Sequence, residues 1–166
     1  MKFLPSIVLL WILSFSVFAT DIPSRIEISY AVTTDIGQGE INEVMEIKHV
    51  NGIHSYTINS EAQATGIFKI IEPNSIVRHS EGTITKQGLR PTRAYEKRGK
   101  KEPSVAVFNW EKHVITLQHK GQEEQKRLPE GTLDRLSLSY NFMFAPLPKQ
   151  YVEKHATDGR SLQLAP

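Results

Sequence analysis

The sequence predicts a mainly β protein: an antiparallel meander forming a curved sheet or open barrel, with one helix packed against it. Three observations predict this fold class. From Arg25 onward, apolar and polar residues alternate with a period of two, as in half-buried strands. Turn residues recur about every ten positions, as in a meander. One segment, at about residues 132–144, changes to the spacing of an amphipathic helix.

The N-terminal segment, MKFLPSIVLLWILSFSVFAT, has the features of a secretory signal peptide. Lys2 gives a positive start, an apolar run follows, and Val17 and Ala19 occupy the two positions that a signal peptidase reads. An uncleaved anchor is the alternative, but the run is near the lower limit of ~17 residues for a membrane span, and Pro5 weakens it further. We therefore expect residues 1–19 to be removed and residues 20–166 to form one β-rich periplasmic domain with no stable membrane span.

Composition excludes some classes of partner. The chain has 20 lysines and arginines against 18 aspartates and glutamates, and a nearly balanced charge argues against a nucleic-acid partner. The basic run KRGKK at 97–101 is interpreted as a solvated loop, with a binding patch as the alternative. There is no cysteine, so disulfides play no part. No cofactor is expected.

The Asn51-Gly52 pair predicts a two-residue hairpin turn, because both turn positions need a positive φ. This turn fixes a register in which one face is apolar and the other mostly polar, as a half-buried sheet requires. The predicted pairs on the apolar face are His49 with His54, Ile47 with Tyr56, Met45 with Ile58, and Ile41 with Ala62, while Val50 with Ile53 is the pair next to the turn.

Three further hairpins are predicted. A turn at Lys112-His113 would pair Trp110 with Ile115, Phe108 with Leu117 and Ala106 with His119. A turn at Ile36-Gly37 would pair Val32 with Ile41 and Ile28 with Met45, and a longer loop in TDIGQG is the alternative. The segment KQG at 86–88 would join the two strands on either side of it, in a register that the sequence leaves open.

A helix is predicted from about Thr132 to Phe144. Thr132 is a candidate cap and Asp134 suits the first turn, while Leu133, Leu136 and Tyr140 recur at helical spacing. Prolines at 146 and 148 end it. The apolar stripe is expected to lie against the sheet.

The third strand tapers along its inner face from Tyr56 and Ile58 to Ala62, Ala64 and Gly66. Two interpretations remain open, because interiors do not tolerate large voids. Either the predicted helix or a short helix in GIFKIIEP fills the space, or the space is a pocket for an apolar ligand. Ligand-binding candidates on the apolar face are Met45, Tyr56, Ile58, Ala62, Ala64, Phe108, Trp110 and Tyr140.

Catalytic and metal-binding signals are weak. His49 and His54 are cross-strand neighbours and therefore candidate metal ligands, but a stable site needs three or four ligands, so a polar rim is the favoured interpretation. Glu61 and Glu81 are the candidate acid and base of a hydrolase that would also use the two histidines. There is no cysteine nucleophile, phosphate-binding glycine loop or HExxH motif. A non-enzymatic protein is favoured.

Several motifs together resemble an exported bacterial family. They are SEA…ATG at 60–66, SEG at 80–82, GLRP at 88–91, FNW at 108–110, PEGTLDRLS at 129–137 and TDGR at 157–160. The chain is similar here to the domain of unknown function 3108. The resemblance implies a β-rich protein of the Gram-negative envelope and no known activity or catalytic residues. Members resembling it continue beyond the DGR segment, so we expect a domain shortened at its C-terminal end, with an unpaired sheet edge.

Three functions follow from these features. The first is a periplasmic binding or carrier domain for a lipid or other apolar or amphipathic ligand. The second is a non-catalytic envelope protein that pairs with another protein through a sheet edge. The third is the envelope hydrolase that would use the two glutamates and the two histidines. The first is favoured.

Overall fold

The computed structural model describes residues 23–35, 37–71, 73–146 and 154–165. The predicted signal peptide at residues 1–19 lies outside these ranges, as does Ile36 of one predicted turn. None of the helices in the described ranges has the length and apolar character needed to cross a membrane.

Eight strands form one antiparallel sheet in the order of the chain, which confirms the predicted mainly β meander. The sheet is open, with β1 and β8 as its outer strands. Its strands are β1 (Arg25–Thr34), β2 (Gly37–Val50), β3 (Ile53–Ala64), β4 (Ile76–Thr85), β5 (Gly88–Arg98), β6 (Ser104–Asn109), β7 (Val114–His119) and β8 (Gln122–Arg127).

A second, three-stranded sheet and two short helices complete the described fold. The strands are β9 (Leu133–Asp134), β10 (Lys154–Thr157) and β11 (Leu162–Ala165), and β10 lies in the middle, parallel to β9 and antiparallel to β11. Helix α1 (Phe68–Ile71) follows β3. Helix α2 (Arg135–Tyr140) continues into a 3-10 turn at Asn141–Met143.

The β2–β3 hairpin has the predicted register. Asn51 and Gly52 have φ values of 52° and 78°, as a two-residue turn of this hand needs. All five predicted pairs are present, from Val50 opposite Ile53 to Ile41 opposite Ala62. We call the face that carries Met45, Tyr56 and Ile58 the inner face.

The predicted β1–β2 register is wrong by two residues. Val32 lies opposite Gly39 and Ile28 opposite Glu43, not opposite Ile41 and Met45. The reason is that Thr34 pairs with Gly37, so the loop comes one residue earlier than a turn at Ile36-Gly37 would place it. A shift of two leaves every side chain on its predicted face.

The predicted β6–β7 register is also wrong by two residues. Phe108 lies opposite Ile115 and Ala106 opposite Leu117. The loop has four residues, because Asn109 Oδ1 accepts a hydrogen bond from Lys112 N over 2.9 Å and His113 takes a φ of 52°. Trp110 therefore leaves the strand.

The hairpin through Lys86-Gln87 joins β4 to β5 as predicted. Its register changes between Glu81 and Gly82, where β5 has one extra residue, Thr92. A Cβ at position 82 would lie 2.2 Å from Arg90 O, so this bulge requires glycine. The bulge explains why alternation alone left the register open.

The predicted helix exists but is shorter at its start. Leu133 and Asp134 form strand β9, and Asp134 rather than Thr132 is the cap. The Thr132 hydroxyl instead donates to Pro129 O over 2.7 Å. Helix α2 packs on β3, β4 and β5. One core cluster lies beneath it and comprises Met45, Ile47, Tyr56, Ile58, Leu89, Leu133, Leu136 and Tyr140.

A second core cluster covers the far half of the inner face. It comprises Ala94, Ala106, Phe108, Ile115, Leu117 and Leu128. Cross-strand partners share a face, so the pairs Ser80 with Ala94, Ala94 with Ala106, and Ala106 with Leu117 place both clusters on one side of the sheet.

Candidate functional site

An apolar cavity of about 380 Å³ lies where β3 tapers. Its volume is within the range of small-molecule sites, about 300–1,000 Å³. GIFKIIEP forms a short helix, as one interpretation of the tapering strand expects, and a cavity remains beside that helix. The apolar residues that line it are Ile41, Ala62, Ala64, Phe68, Ile71 and Ile76, together with Val32 at its edge.

Small residues make this space. Ala62 lies between Ile41 on β2 and Ile76 on β4, and Ala64 lies opposite Gly39. A Cβ at Gly39 would lie 2.9 Å from Gln63 O, so the two strands approach closely there.

Helix α1 borders the cavity and is itself apolar. Phe68 approaches Gly37, where a Cβ would meet the ring at 3.6 Å. Ile67 just before the helix and Ile70 and Ile71 within it are 69%, 81% and 74% exposed. A cluster of exposed large apolar side chains commonly marks a binding surface. Ile71 belongs to both this surface and the cavity lining.

A row of polar side chains crosses the inner face next to the cavity. Successive cross-strand partners on β2 to β6 form it, namely Glu43, Ser60, Arg78, Glu96 and Ser104, and His119 on β7 continues it through its side-chain contact with Ser104. The row separates Ile58 and the core beneath α2 from Ala62 and the cavity. On one side of this polar row the inner face is packed by the core beneath α2, and on the other side it retains the cavity.

Glu96 is the centre of this row. Its side chain is only 3% exposed, and three guanidinium groups bond it: Arg78 Nε at 2.7 Å, Arg98 Nε at 2.8 Å and Arg160 Nη2 at 2.8 Å. Arg135 Nη1 lies 3.7 Å away. Burial raises the pKa of Glu96, but the hydrogen bonds and charges of Arg78 and Arg98 outweigh burial and hold that pKa below its ordinary value.

Arg160 reaches Glu96 from the turn between β10 and β11. Gly159 in this turn has a φ of 84°, and a Cβ there would lie 2.8 Å from the carbonyl carbon of Ser104. Asp158 Oδ1 accepts a hydrogen bond from Arg160 N over 3.0 Å. The TDGR motif therefore holds a guanidinium against the polar row of the main sheet.

Other members of the row are partly paired. Tyr140 donates its hydroxyl to Glu43 Oε2 over 2.8 Å, and burial, followed by this carboxylate, raises the pKa of the tyrosine. Ser104 Oγ lies 2.8 Å from His119 Nδ1. Ser60 Oγ is buried and has no hydrogen-bond partner among the described residues.

Of the eight predicted ligand-binding residues, the structure brings two, Ala62 and Ala64, to the cavity. Met45, Tyr56, Ile58 and Tyr140 are packed in the core beneath α2, and Phe108 is in the second core cluster. Trp110 stacks on Phe108, with 6.0 Å between ring centroids. These six residues do not line the cavity.

Sequence reasoning missed the other cavity residues. Ile41 could have been predicted as a cavity residue, since its pairing with Ala62 follows from the Asn51-Gly52 turn. Phe68 and Ile71 belong to the GIFKIIEP segment, whose folding back was one interpretation of the taper. No feature of the sequence marked Ile76 as a cavity residue, because only the pairing of β4 with β3 brings it beside Ala62.

The two histidines are neighbours at the far end of the β2–β3 hairpin. His49 Nδ1 lies 2.9 Å from His54 Nε2, and the rings meet edge to face. Among the described residues, no group of three histidine, cysteine, aspartate or glutamate side chains could hold a metal ion. The pair therefore has the geometry of a mutual hydrogen bond at a polar rim.

The two candidate hydrolase glutamates do not join the histidines. Glu61 and Glu81 lie opposite Val77 and Thr57, respectively, on the outer face of the sheet. His49 and His54 are on the inner face. These four side chains therefore share no cleft.

The comparisons with known proteins identify a family and no function. Neither a curated protein nor a solved structure matches the chain. The model of one family, described as a protein of unknown function (DUF3108), matches residues 25–157. This range runs from the start of β1 to the end of β10 and includes the cavity and Glu96. The chain belongs to the DUF3108 family.

Proposed function

We propose that this protein is an exported carrier or binding domain whose ligand inserts an apolar group into the cavity beside α1. One observation carries the proposal: the large side chains of the inner face give way to alanine and glycine at one end, and the fold leaves about 380 Å³ of apolar space there. A concave, mostly apolar space of this size is typical of small-molecule sites.

The surroundings of the cavity support exchange of a ligand. Helix α1 has only four residues, none of them buried, so its displacement disturbs little of the fold. Its exposed isoleucines give an apolar surface at the entrance, which suits contact with a membrane or with a second carrier. The signal-like N-terminus supports a periplasmic location, where apolar molecules need carriers to cross water.

Native mass spectrometry of the protein recovered from the bacterial periplasm tests both parts of this proposal. We expect the mass of a chain that begins at Thr20. We also expect an adduct whose added mass is in the lipid range and which is released on activation in the mass spectrometer. A folded protein without adduct would instead favour the alternative, an envelope protein that pairs through β1, whose Ile28 and Tyr30 are exposed. A protein retained with residues 1–19 in the membrane fraction would contradict the export assignment.

Filling the cavity should weaken binding. In Ala62→Phe the added ring enters the space between Ile41 and Ile76, so we expect a neutral apolar fluorophore such as N-phenyl-naphthylamine to bind at least about tenfold more weakly, a loss of 1.4 kcal/mol or more. Fluorescence titration measures this change. The matched control is Glu61→Phe, which adds the same ring to the exposed face of the same strand. Equal binding by wild type and Ala62→Phe would place the site elsewhere.

A further inference from the structure

The apolar cavity adjoins a cationic one. A second cavity of about 370 Å³ is lined by four cationic side chains, Arg98, Lys101, Lys120 and Arg160, against two carboxylates, Glu96 and Glu102. Glu96 is also bonded by Arg78, which is not part of this lining, so the four cations of the lining face two carboxylates of which one is shared with a further cation. The cavity therefore has a surplus of positive charge.

Two contacts join these cavities. Ile76, which lines the apolar cavity, is the direct cross-strand partner of Arg98, which lines the cationic one. Adjacent strands are about 4.8 Å apart, so the two linings are one strand spacing from each other. In addition, Gly99 packs against Asn74 of the apolar cavity, where a Cβ would lie 2.5 Å from Asn74 Oδ1.

The guanidinium groups retain donors for a ligand. A guanidinium has five N–H donors, and the bond from Arg98 Nε to Glu96 Oε1 uses one of them. Arg160 likewise contacts Glu96 through Nη2. Arg98 is held in place by this bond while its side chain remains 45% exposed. A fixed and accessible guanidinium suits a carboxylate or phosphate, which it can bond in bidentate geometry.

We propose that the ligand is an amphipath with an acidic head group: its alkyl chain occupies the apolar cavity, and its carboxylate or phosphate is bound by Arg98, Lys101 and Arg160. This inference rests on the proposed carrier function and adds the class of ligand. The basic run at 97–101, interpreted from sequence as a solvated loop, supplies two of the three cations. Arg160 of the TDGR motif supplies the third.

Isothermal titration calorimetry with matched amphipaths tests the inference at neutral pH. The probes are decanoic acid, decanol and decyltrimethylammonium, which differ in head-group charge, and acetate and inorganic phosphate as free anions. We expect decanoate to bind about tenfold more tightly than decanol, the cationic amphipath to bind most weakly, and the free anions to show no measurable binding. The preference for decanoate should fall as salt is added.

Single substitutions test which side chains cause the preference for decanoate over decanol. Arg98→Gln should weaken decanoate binding about tenfold and leave decanol binding unchanged. Arg93→Gln is the matched control, since Arg93 is exposed on the outer face of the same strand, and it should change neither affinity. If Arg98→Gln lowers the unfolding temperature sharply, Lys101→Gln in the exposed loop provides the same test, with a smaller decrease expected.

The outcomes separate this inference from the proposed function. Equal affinity for decanoate and decanol would overturn the head-group site and leave the apolar carrier intact. No binding of any amphipath would overturn both. Acetate or phosphate bound as tightly as decanoate would show an anion site independent of the apolar cavity, which also overturns the inference. An equal loss in Arg93→Gln would show general charge attraction rather than a site.

Discussion

Replacing Glu96 with alanine should lower the free energy of unfolding by about 3 kcal/mol, the lower end of the range of 3–5 kcal/mol for breaking a buried ion pair. The carboxylate is buried against Arg78, whose side chain is only 18% exposed, and its removal leaves that guanidinium without its partner. Arg98 and Arg160 are more exposed and regain water, which keeps the loss at the lower end.

Urea denaturation followed by circular dichroism measures this loss. Glu123→Ala is the matched control: Glu123 is exposed and accepts one hydrogen bond from Gln118 across the edge strands, so we expect a change below about 0.5 kcal/mol. A loss below about 1 kcal/mol in Glu96→Ala would show that the arginines do not depend on this carboxylate.

The same residue should make stability depend on pH. Because the pKa of Glu96 is lowered in the folded protein, its stabilisation is present above the unfolded value and is lost as the pH falls through the folded value. The stability difference between wild type and Glu96→Gln should therefore shrink as the pH falls below about 4.5, the ordinary pKa. A constant difference down to the acid limit would contradict the ion-pair account.

Replacing Asp134 with alanine should also cost about 3 kcal/mol. Its carboxylate accepts hydrogen bonds from Leu136 N at 2.9 Å, Ser137 N at 3.1 Å and Ser80 Oγ at 2.6 Å, all of them buried. Loss of a helix cap costs about 1 kcal/mol, and each further buried group left unpaired adds about 1–3 kcal/mol. Asp134 caps α2, the helix that covers the first core cluster.

Asp134→Asn separates the cap from the charge. Burial raises the pKa of Asp134 despite these hydrogen bonds, so the charged form is disfavoured there. The asparagine oxygen still accepts from both backbone N–H groups, and we expect a loss of no more than about 1 kcal/mol. Thermal unfolding of both variants measures the difference. An asparagine variant as unstable as the alanine variant would show that the charge, not the cap, stabilises α2.

The part of the fold predicted from sequence is the part that local chemistry specifies. Asn51-Gly52 permits one kind of turn, and that turn fixed every pair from Val50 opposite Ile53 to Ile41 opposite Ala62. The β1–β2 and β6–β7 registers were each wrong by two, because their loops depend on contacts that the residue pattern does not encode. Asn109, for example, accepts a bond from Lys112 and so makes a four-residue loop.

The candidate site was less predictable because it is assembled from distant segments. The taper from Ile58 to Ala64 is visible in one strand and left a cavity as one of two interpretations. Glu96, by contrast, is bonded by Arg78, Arg98 and Arg160, and only Arg98 is close to it in sequence. The alternation of apolar and polar residues does not predict such a cluster. The pairing of β4 with β5 and the packing of the TDGR turn bring its members together.

The most direct test of the carrier assignment is nuclear magnetic resonance of protein labelled at alanine and isoleucine methyl groups, titrated with decanoic acid. We expect intermolecular nuclear Overhauser effects from the alkyl chain to Ala62, Ala64 and Ile76, while Ile58 and Ile115 in the packed cores stay unchanged. Contacts instead to Ala156, in a cavity of about 260 Å³ beside β10, or no contacts at all would contradict the account.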